Sequence, residues 1–297
     1  MRASLIHHPG GGSASDDDFE RARAHLAERL DLRACAVGDG ESTADVARRE
    51  VDDGSRLLIA SGGDGTVSAV ASALVDRTDL ALGILPQGTS NSISIHLGIP
   101  RALDDACAVI LGGHERVIDT AVANGRPMVM MATLGIHAEA ITEADRELKQ
   151  RIGALAYVLE EVRRLFDDSL FEAWVESGGQ RFRCETSALT IANVARATAL
   201  FAQGAPELID DDGLLDVTLV AIDGVAEAVA TSLHLAARAL SGLPASRPNV
   251  AHFRAREIRI ETAAPKRVMI DGEDAGETPL VVTARPRSLR VRVPAPA

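Results

Sequence analysis

Arg56-Leu57-Leu58-Ile59-Ala60-Ser61-Gly62-Gly63-Asp64-Gly65-Thr66-Val67-Ser68-Ala69-Val70-Ala71 decides how the chain is read. The apolar run ending at Ala60 has the form of a buried strand. The alanine-rich run from Val67 to Val75 has the form of a helix, with Thr66 as its N-cap. Three glycines between them let main-chain N–H groups approach a ligand, and the start of a helix favours negative charge. Asp64 sits inside this turn. A bare anion cradle has no need of a carboxylate, whereas a cradle that handles a metal ion or moves a proton does.

The same grammar repeats on either side. Arg2 to His8 reads as a strand that ends in Pro9-Gly10-Gly11-Gly12-Ser13, and Ser15 caps a helix that begins with three aspartates. Leu32 to Val37 is a strand, and Ser42 or Thr43 starts a helix that ends near Gly54. Leu80 to Leu85 is a strand running into Pro86-Gln87-Gly88-Thr89-Ser90-Asn91-Ser92, and Ile93 to Leu97 is a short helix stopped before Pro100. This alternation predicts an α/β domain, a Rossmann-like parallel sheet with helices on both faces. Ligands of such sheets bind beyond the carboxyl ends of the strands, so the three glycine turns should converge on one crevice. A lone glycine turn is usually only a turn; two that carry Asp64 and Asn91 at equivalent strand ends favour function. A Walker A loop is excluded, because no lysine precedes Lys149, and Ser68 stands where a dinucleotide fingerprint needs glycine. Phosphate charge would fall to backbone amides, arginine and Mg²⁺.

From Val117 the pattern changes to hairpins. Asn124-Gly125 separates Val117–Val122 from Met128–Thr133. Glu143 to Phe166 reads as a long amphipathic helix with a solvated charged face that includes Lys149. Phe171 to Val175 and Phe182 to Ile191 flank Ser177-Gly178-Gly179-Gln180. Further strands are expected at Val217–Ala221, Glu257–Glu261, Val268–Ile270, Leu280–Ala284 and Leu289–Val293. The expected architecture is an all-β sandwich. Asp210, Asp211, Asp212 and Asp216 are either an acidic turn or oxygen ligands for Mg²⁺ or Ca²⁺. Asp271-Gly272-Glu273-Asp274 is either a plain hairpin turn or, if the fold brings it back to the Asp64 crevice, a source of catalytic acid.

At 297 residues and 31.3 kDa the chain is expected to form two domains, residues 1–122 and 123–285, with a last strand at 286–297 returning to the first. A net charge of −12 argues against nucleic acid and against strong docking to an anionic membrane, leaving brief contact with a membrane surface through a local patch. Cys35, Cys107 and Cys184 show no paired spacing and read as inert thiols. The N-terminus has no signal-peptide apolar segment, and the best apolar run, Val225 to Leu240, contains Glu227, His234 and Arg238; the expected compartment is the cytoplasm. His96, His137, His234 and His252 lack ligand spacing and read as packing or surface residues.

With these residues together, the chain resembles the diacylglycerol-kinase-like lipid kinases of the soluble bacterial type. Gly62-Gly63-Asp64-Gly65-Thr66 matches their nucleotide loop, which NAD kinases share. Leu82-Gly83-Ile84-Leu85-Pro86-Gln87-Gly88-Thr89-Ser90-Asn91 matches the lipid-kinase form of the second loop. Ile118-Asp119-Thr120, Met130 to Gly135, Lys149 with Gly153 to Tyr157, Asp211 to Val217 and Ile270 to Glu273 complete the series in order. The resemblance implies an ATP-dependent kinase that phosphorylates a lipid hydroxyl. Gly62, Gly63, Asp64, Gly65, Thr66, Val67 and Ser68, with Gly88, Thr89 and Asn91, would hold ATP phosphates. Pro9, Gly10, Gly11, Gly12 and Ser13 would cover the nucleotide. Glu273 would be the general base, with Asp271 and Asp64 the other acids of the catalytic set and Asp64 close to the Mg²⁺ carried by ATP. Asp211, the Leu214 carbonyl and Asp216 would hold a structural Mg²⁺. His8, Ser68 and Ser92 stand where the family commonly has Asn, Asn and Asp. The alternatives are a NAD kinase or another small-molecule kinase, and a non-catalytic nucleotide- or lipid-binding protein. Exposed sandwich strands would allow a homodimer.

Overall fold

The computed structural model describes residues 1–10, 15–135, 170–194, 209–221 and 250–295. Strand β1 (Arg2–His7) leads to helix α1 (Asp16–Ala27), β2 (Asp31–Ala36) to α2 (Thr43–Asp52), β3 (Leu57–Gly62) to α3 (Asp64–Ser72), and β4 (Ala81–Pro86) to α4 (Ser92–His96). Serine hydroxyls cap the first two helices as the sequence suggests: Ser15 accepts from Asp18 N and Ser42 from Asp45 N. A further helix, α5 (Leu103–Gly112), was not expected; Ala102 precedes it and offers no side-chain cap to announce it. The strands lie in the order β2-β1-β3-β4, all parallel. Every residue of β3 and β4 is buried, as a parallel sheet covered on both faces requires.

The second part is built from β5 (His114–Ala123), β6 (Arg126–Met128), β7 (Met131–Gly135), β8 (Phe171–Ser177), β9 (Gln180–Thr186), β10 (Ala188–Ala192), β11 (Leu215–Val220), β12 (Val250–Ala255), β13 (Glu257–Thr262), β14 (Arg267–Ile270), β15 (Glu273–Glu277) and β16 (Leu280–Val293). The expected single strand from Phe182 to Ile191 is two strands in two sheets. The chain changes sheets at Ser187, where the Thr186 hydroxyl donates to main-chain oxygens of Ala188 and Val220. One sheet runs β12-β11-β10-β7-β14-β15, and the other contains β16-β13-β8-β9. Their inner faces meet through Leu189 and Val217 on one side and Ile258 and Val282 on the other. Burying each such side chain contributes about 1.5–3 kcal/mol. The expected helix over 143–166, with Lys149, and the apolar run over 225–240 lie outside the described residues.

Strand β16 belongs to both parts. Its first residues pair with β13 on one side and β5 on the other, and beyond an irregularity between Arg285 and Leu289 it continues along β5 and meets Leu82 of β4 at Val291. The two expected strands at 280–284 and 289–293 are therefore one. Asp119 locks the bend: its carboxylate accepts from Gly213 N at 2.6 Å and Arg287 N at 2.7 Å. The sheet is thus continuous from β2 to β9, and the space between the two parts is held by main-chain pairing. Among the described residues no helix is long and apolar enough to cross a membrane. Burial pushes the Cys35 and Cys107 thiols up to about 11, so neither is a nucleophile at neutral pH.

Candidate active site

The nucleotide-loop motif forms the junction of β3 and α3. The helix starts earlier than the expected cap at Thr66: Gly63 is the N-cap, with extended backbone, and Val67 N donates to Gly63 O at 3.0 Å. Thr66 instead folds over Gly62, where a Cβ would lie 2.5 Å from the Thr66 hydroxyl oxygen. No side chain caps α3, so its first N–H groups are left for a ligand. A Cβ on Gly65 would meet nothing within 4 Å, so this glycine faces open space.

The second loop rests on the first. A Cβ on Gly88 would stand 2.5 Å from Gly63 Cα. Gln87 N donates to Gly62 O at 2.9 Å, and the Gln87 amide donates to the buried Ser61 hydroxyl. Asp64 joins the loops, with one carboxylate oxygen accepting from Ser92 N and the other from Ile93 N, both at 3.0 Å. Asn91, in the left-handed region at φ 50°, accepts from Gly88 N at 2.8 Å and donates to Gly88 O at 2.7 Å. Asp64 and Asn91 therefore shape the loops by binding main chain. Thr89 is exposed, and its carbonyl accepts from Arg101.

A cleft of about 680 Å³ opens beside these loops, with Gly65, Thr66 and Ser68 in one wall and Asp271 and Glu273 in the other. The hairpin that joins β14 to β15 turns at Asp271-Gly272, both in the left-handed region at φ 50° and 88°. Two such residues make the tight turn whose twist matches paired strands. The Asp271 carboxylate accepts from Val129 N at 2.8 Å, Met130 N at 2.9 Å and Met131 N at 3.0 Å. These bonds fasten the hairpin to the start of β7. Burial pushes the Asp271 carboxyl up, opposed by those three N–H donors. With both oxygens occupied, Asp271 positions the hairpin and Glu273 is left exposed at the cleft.

Gly62, Gly63, Val67 and Gly88 do not line the cleft, and Gly88 packs against Gly63. Pro9 and Gly10 form an exposed turn; Gly11, Gly12 and Ser13 lie outside the described residues. Sequence reasoning did not assign His8, Thr43, Arg48 or Arg126 to the site, yet all four line the cleft. The His8 ring nitrogen lies 3.0 Å from the Thr43 hydroxyl, and Arg48 pairs with Asp45. No motif marks Arg48 or Arg126, and His8 stands out only as a departure from the family's usual Asn.

The residues of the expected structural-metal set lie on the turn into β11 (Asp211, Leu214) and on that strand (Asp216). Asp216 is buried and its Oδ1 faces His252 Nε2 at 2.9 Å and Arg254 Nε at 3.3 Å. Arg254 also pairs with Asp212 at 2.7 Å. Among the described residues no three His, Cys, Asp or Glu side chains converge to hold a metal ion. Arg254 already pairs with both Asp216 and Asp212, and Asp211 is exposed. Nearby, Asp210 meets His96 at 2.9 Å and Arg116. Burial opposes the Asp210 charge, but these two partners hold its carboxyl below the usual range.

Comparison with known proteins agrees with this architecture. The diacylglycerol kinase catalytic domain matches residues 2–123, and the YegS C-terminal NAD kinase beta sandwich-like domain matches residues 130–293. An uncharacterized protein of Synechocystis is 36% identical over 98% of this chain and 70% of its own length. A probable lipid kinase YegS of Salmonella typhimurium is 30% identical over 86% of this chain and 83% of its own. The diacylglycerol kinase of Bacillus subtilis is 26% identical over 94% and 91%. Among solved structures, a putative diacylglycerol kinase from Bacillus anthracis superposes with a TM-score of 0.79 at 24% identity, covering 98% of this chain and 96% of its own. Yeast NADH kinase shares the fold, with a TM-score of 0.60 at 9% identity over 100% of this chain and 84% of its own. With matched domains spanning both of its parts in the same order, the chain belongs to the diacylglycerol kinase family, in the form that joins the catalytic domain to a YegS-type β-sandwich.

Proposed function

We propose that the chain is an ATP-dependent lipid kinase whose reaction takes place in the cleft between α3 and the Asp271–Glu273 hairpin. The observation that carries this reading is the placement of Glu273 in the same cleft as Gly65 and Thr66, although the hairpin belongs to the sandwich. The uncapped start of α3 and the open face of Gly65 suit a phosphate chain. Glu273 takes the proton from the acceptor hydroxyl. The hydroxyl oxygen attacks the γ-phosphorus in line, the bond to the bridging oxygen breaks, and ADP leaves. Mg²⁺ that arrives with ATP neutralises charge on the phosphate oxygens. Asp64 and Asn91 hold the two loops, and Asp271 holds the hairpin that presents the base. The acceptor is diacylglycerol or a related lipid alcohol.

The test is transfer from γ-labelled ATP to diacylglycerol, a sphingoid base, ceramide and NAD, by the wild type and by Glu273→Gln. Label in a lipid, lost in the variant, is the expected result. Label in NAD alone would make the protein a NAD kinase. Tight ATP binding with no transfer to any acceptor would make it a binding protein.

A further inference from the structure

Resting on the reading of the cleft as a nucleotide site, we infer that Arg126 is the side-chain cation that holds the ATP phosphates, the role a loop lysine plays in Walker-type sites. A triphosphate brings several negative charges. The α3 terminus offers only roughly half an elementary charge, and the loops that meet there contain no lysine.

Arg126 is held in place over this cleft. It follows the turn at Asn124-Gly125, both in the left-handed region at φ 47° and 80°. That turn is clamped to β16: Asn124 N donates to Val281 O at 2.9 Å, Val281 N donates to Asn124 Oδ1 at 2.8 Å, and Asn124 Nδ2 donates to Pro279 O at 2.9 Å. Pro127 restricts the backbone on the other side. The Arg126 side chain lines the same cleft as Gly65, Thr66 and Glu273.

Its charge is not otherwise used. Arg126 Nη1 makes one long contact, 3.4 Å to the Asp274 carbonyl, and no carboxylate pairs with it among the described residues. Arg48, the other arginine of the cleft, is already paired with Asp45. The contact to Asp274 sets the guanidinium beside the residue that follows Glu273, close to where the γ-phosphoryl must meet the acceptor. A planar guanidinium suits bidentate contact with phosphate oxygens better than a point charge does.

The test is calorimetric binding of Mg·ATP and of adenosine, without lipid, to the full chain as wild type, Arg126→Gln and Arg126→Lys. Losing a charge-assisted contact at an exposed position should weaken ATP about tenfold. Adenosine affinity should be unchanged, Arg126→Lys should recover only part of the loss, and the melting temperature should stay at the wild-type value. Wild-type ATP affinity in Arg126→Gln would overturn the assignment. So would an equal loss of ATP and adenosine, which would make Arg126 a shaper of the pocket. If the wild type itself binds no ATP, the nucleotide reading of the cleft falls and this assignment falls with it.

Discussion

Gly63 and Gly88 meet back to back: a Cβ built on Gly88 would lie 2.5 Å from Gly63 Cα and 2.9 Å from Asn91 Oδ1. Gly63 Cα is main chain, and Asn91 Oδ1 is held by the bond from Gly88 N. Gly88→Ala must therefore separate the two loops, at a cost of about 1–3 kcal/mol. Gly65, in the first turn of α3, faces open space. Gly65→Ala should leave the melting temperature equal or slightly higher, because alanine suits a helix better, while the methyl group intrudes where phosphate would lie. Melting curves and ATP binding of the two variants should show opposite patterns, with the first losing stability and the second losing affinity. Equal ATP binding in Gly65→Ala and the wild type would remove the phosphate from this glycine.

Glu273→Gln should lower the transfer rate by roughly 10²–10⁴-fold, the range for loss of a general base. Exposed at the start of β15, the residue carries little packing, so melting temperature and ATP affinity should hold. Unchanged turnover would rule out Glu273 as the base.

Asp64→Ala should cost about 1–2 kcal/mol, because two N–H groups at the start of α4 lose their acceptor. The loss should appear in chemical denaturation of the apo protein, without nucleotide. A variant as stable as the wild type would show that the clamp between α3 and α4 contributes nothing.

Arg254→Ala should destabilise the fold by about 2 kcal/mol. Asp216 is buried, and Arg254 stands directly opposite it on the neighbouring strand. If added Mg²⁺ fully restored the lost stability, a metal could replace the arginine at this loop. No such rescue is expected from the present arrangement.

Asp271 gives a pH dependence with a defined sign. Its folded carboxyl lies above its usual value because of burial, so its contribution to stability is greatest at low pH and declines as pH rises through the folded value. Asp271→Asn stays neutral throughout. The melting temperature of this variant relative to wild type should therefore rise as pH increases above about 4. A constant difference would mean that the N–H bonds from Val129, Met130 and Met131 offset the burial.

Local chemistry carried much of this protein. The alternation of apolar runs with glycine turns determined the α/β half, since a strand buried on both faces and a capped helix each have a pattern legible over a dozen residues. Ser15 and Ser42 marked helix starts, and Asn124-Gly125 marked a hairpin. The motifs around Gly62 to Thr66 and Asp271 to Glu273 singled out the residues that meet at the cleft. Helix α5 is not legible because Ala102 gives no cap, and β9 and β10 read as one strand because only Ser187 separates them. What tertiary structure alone decided was the use of each acid. Asp64, Asp271 and Glu273 are all carboxylates in glycine turns, and nothing in their neighbours separates them. Only the folded chain brings Ser92 and Ile93 to Asp64, and Val129 to Met131 to Asp271. Those main-chain donors occupy two of the three acids and leave Glu273 facing the Gly65 cradle.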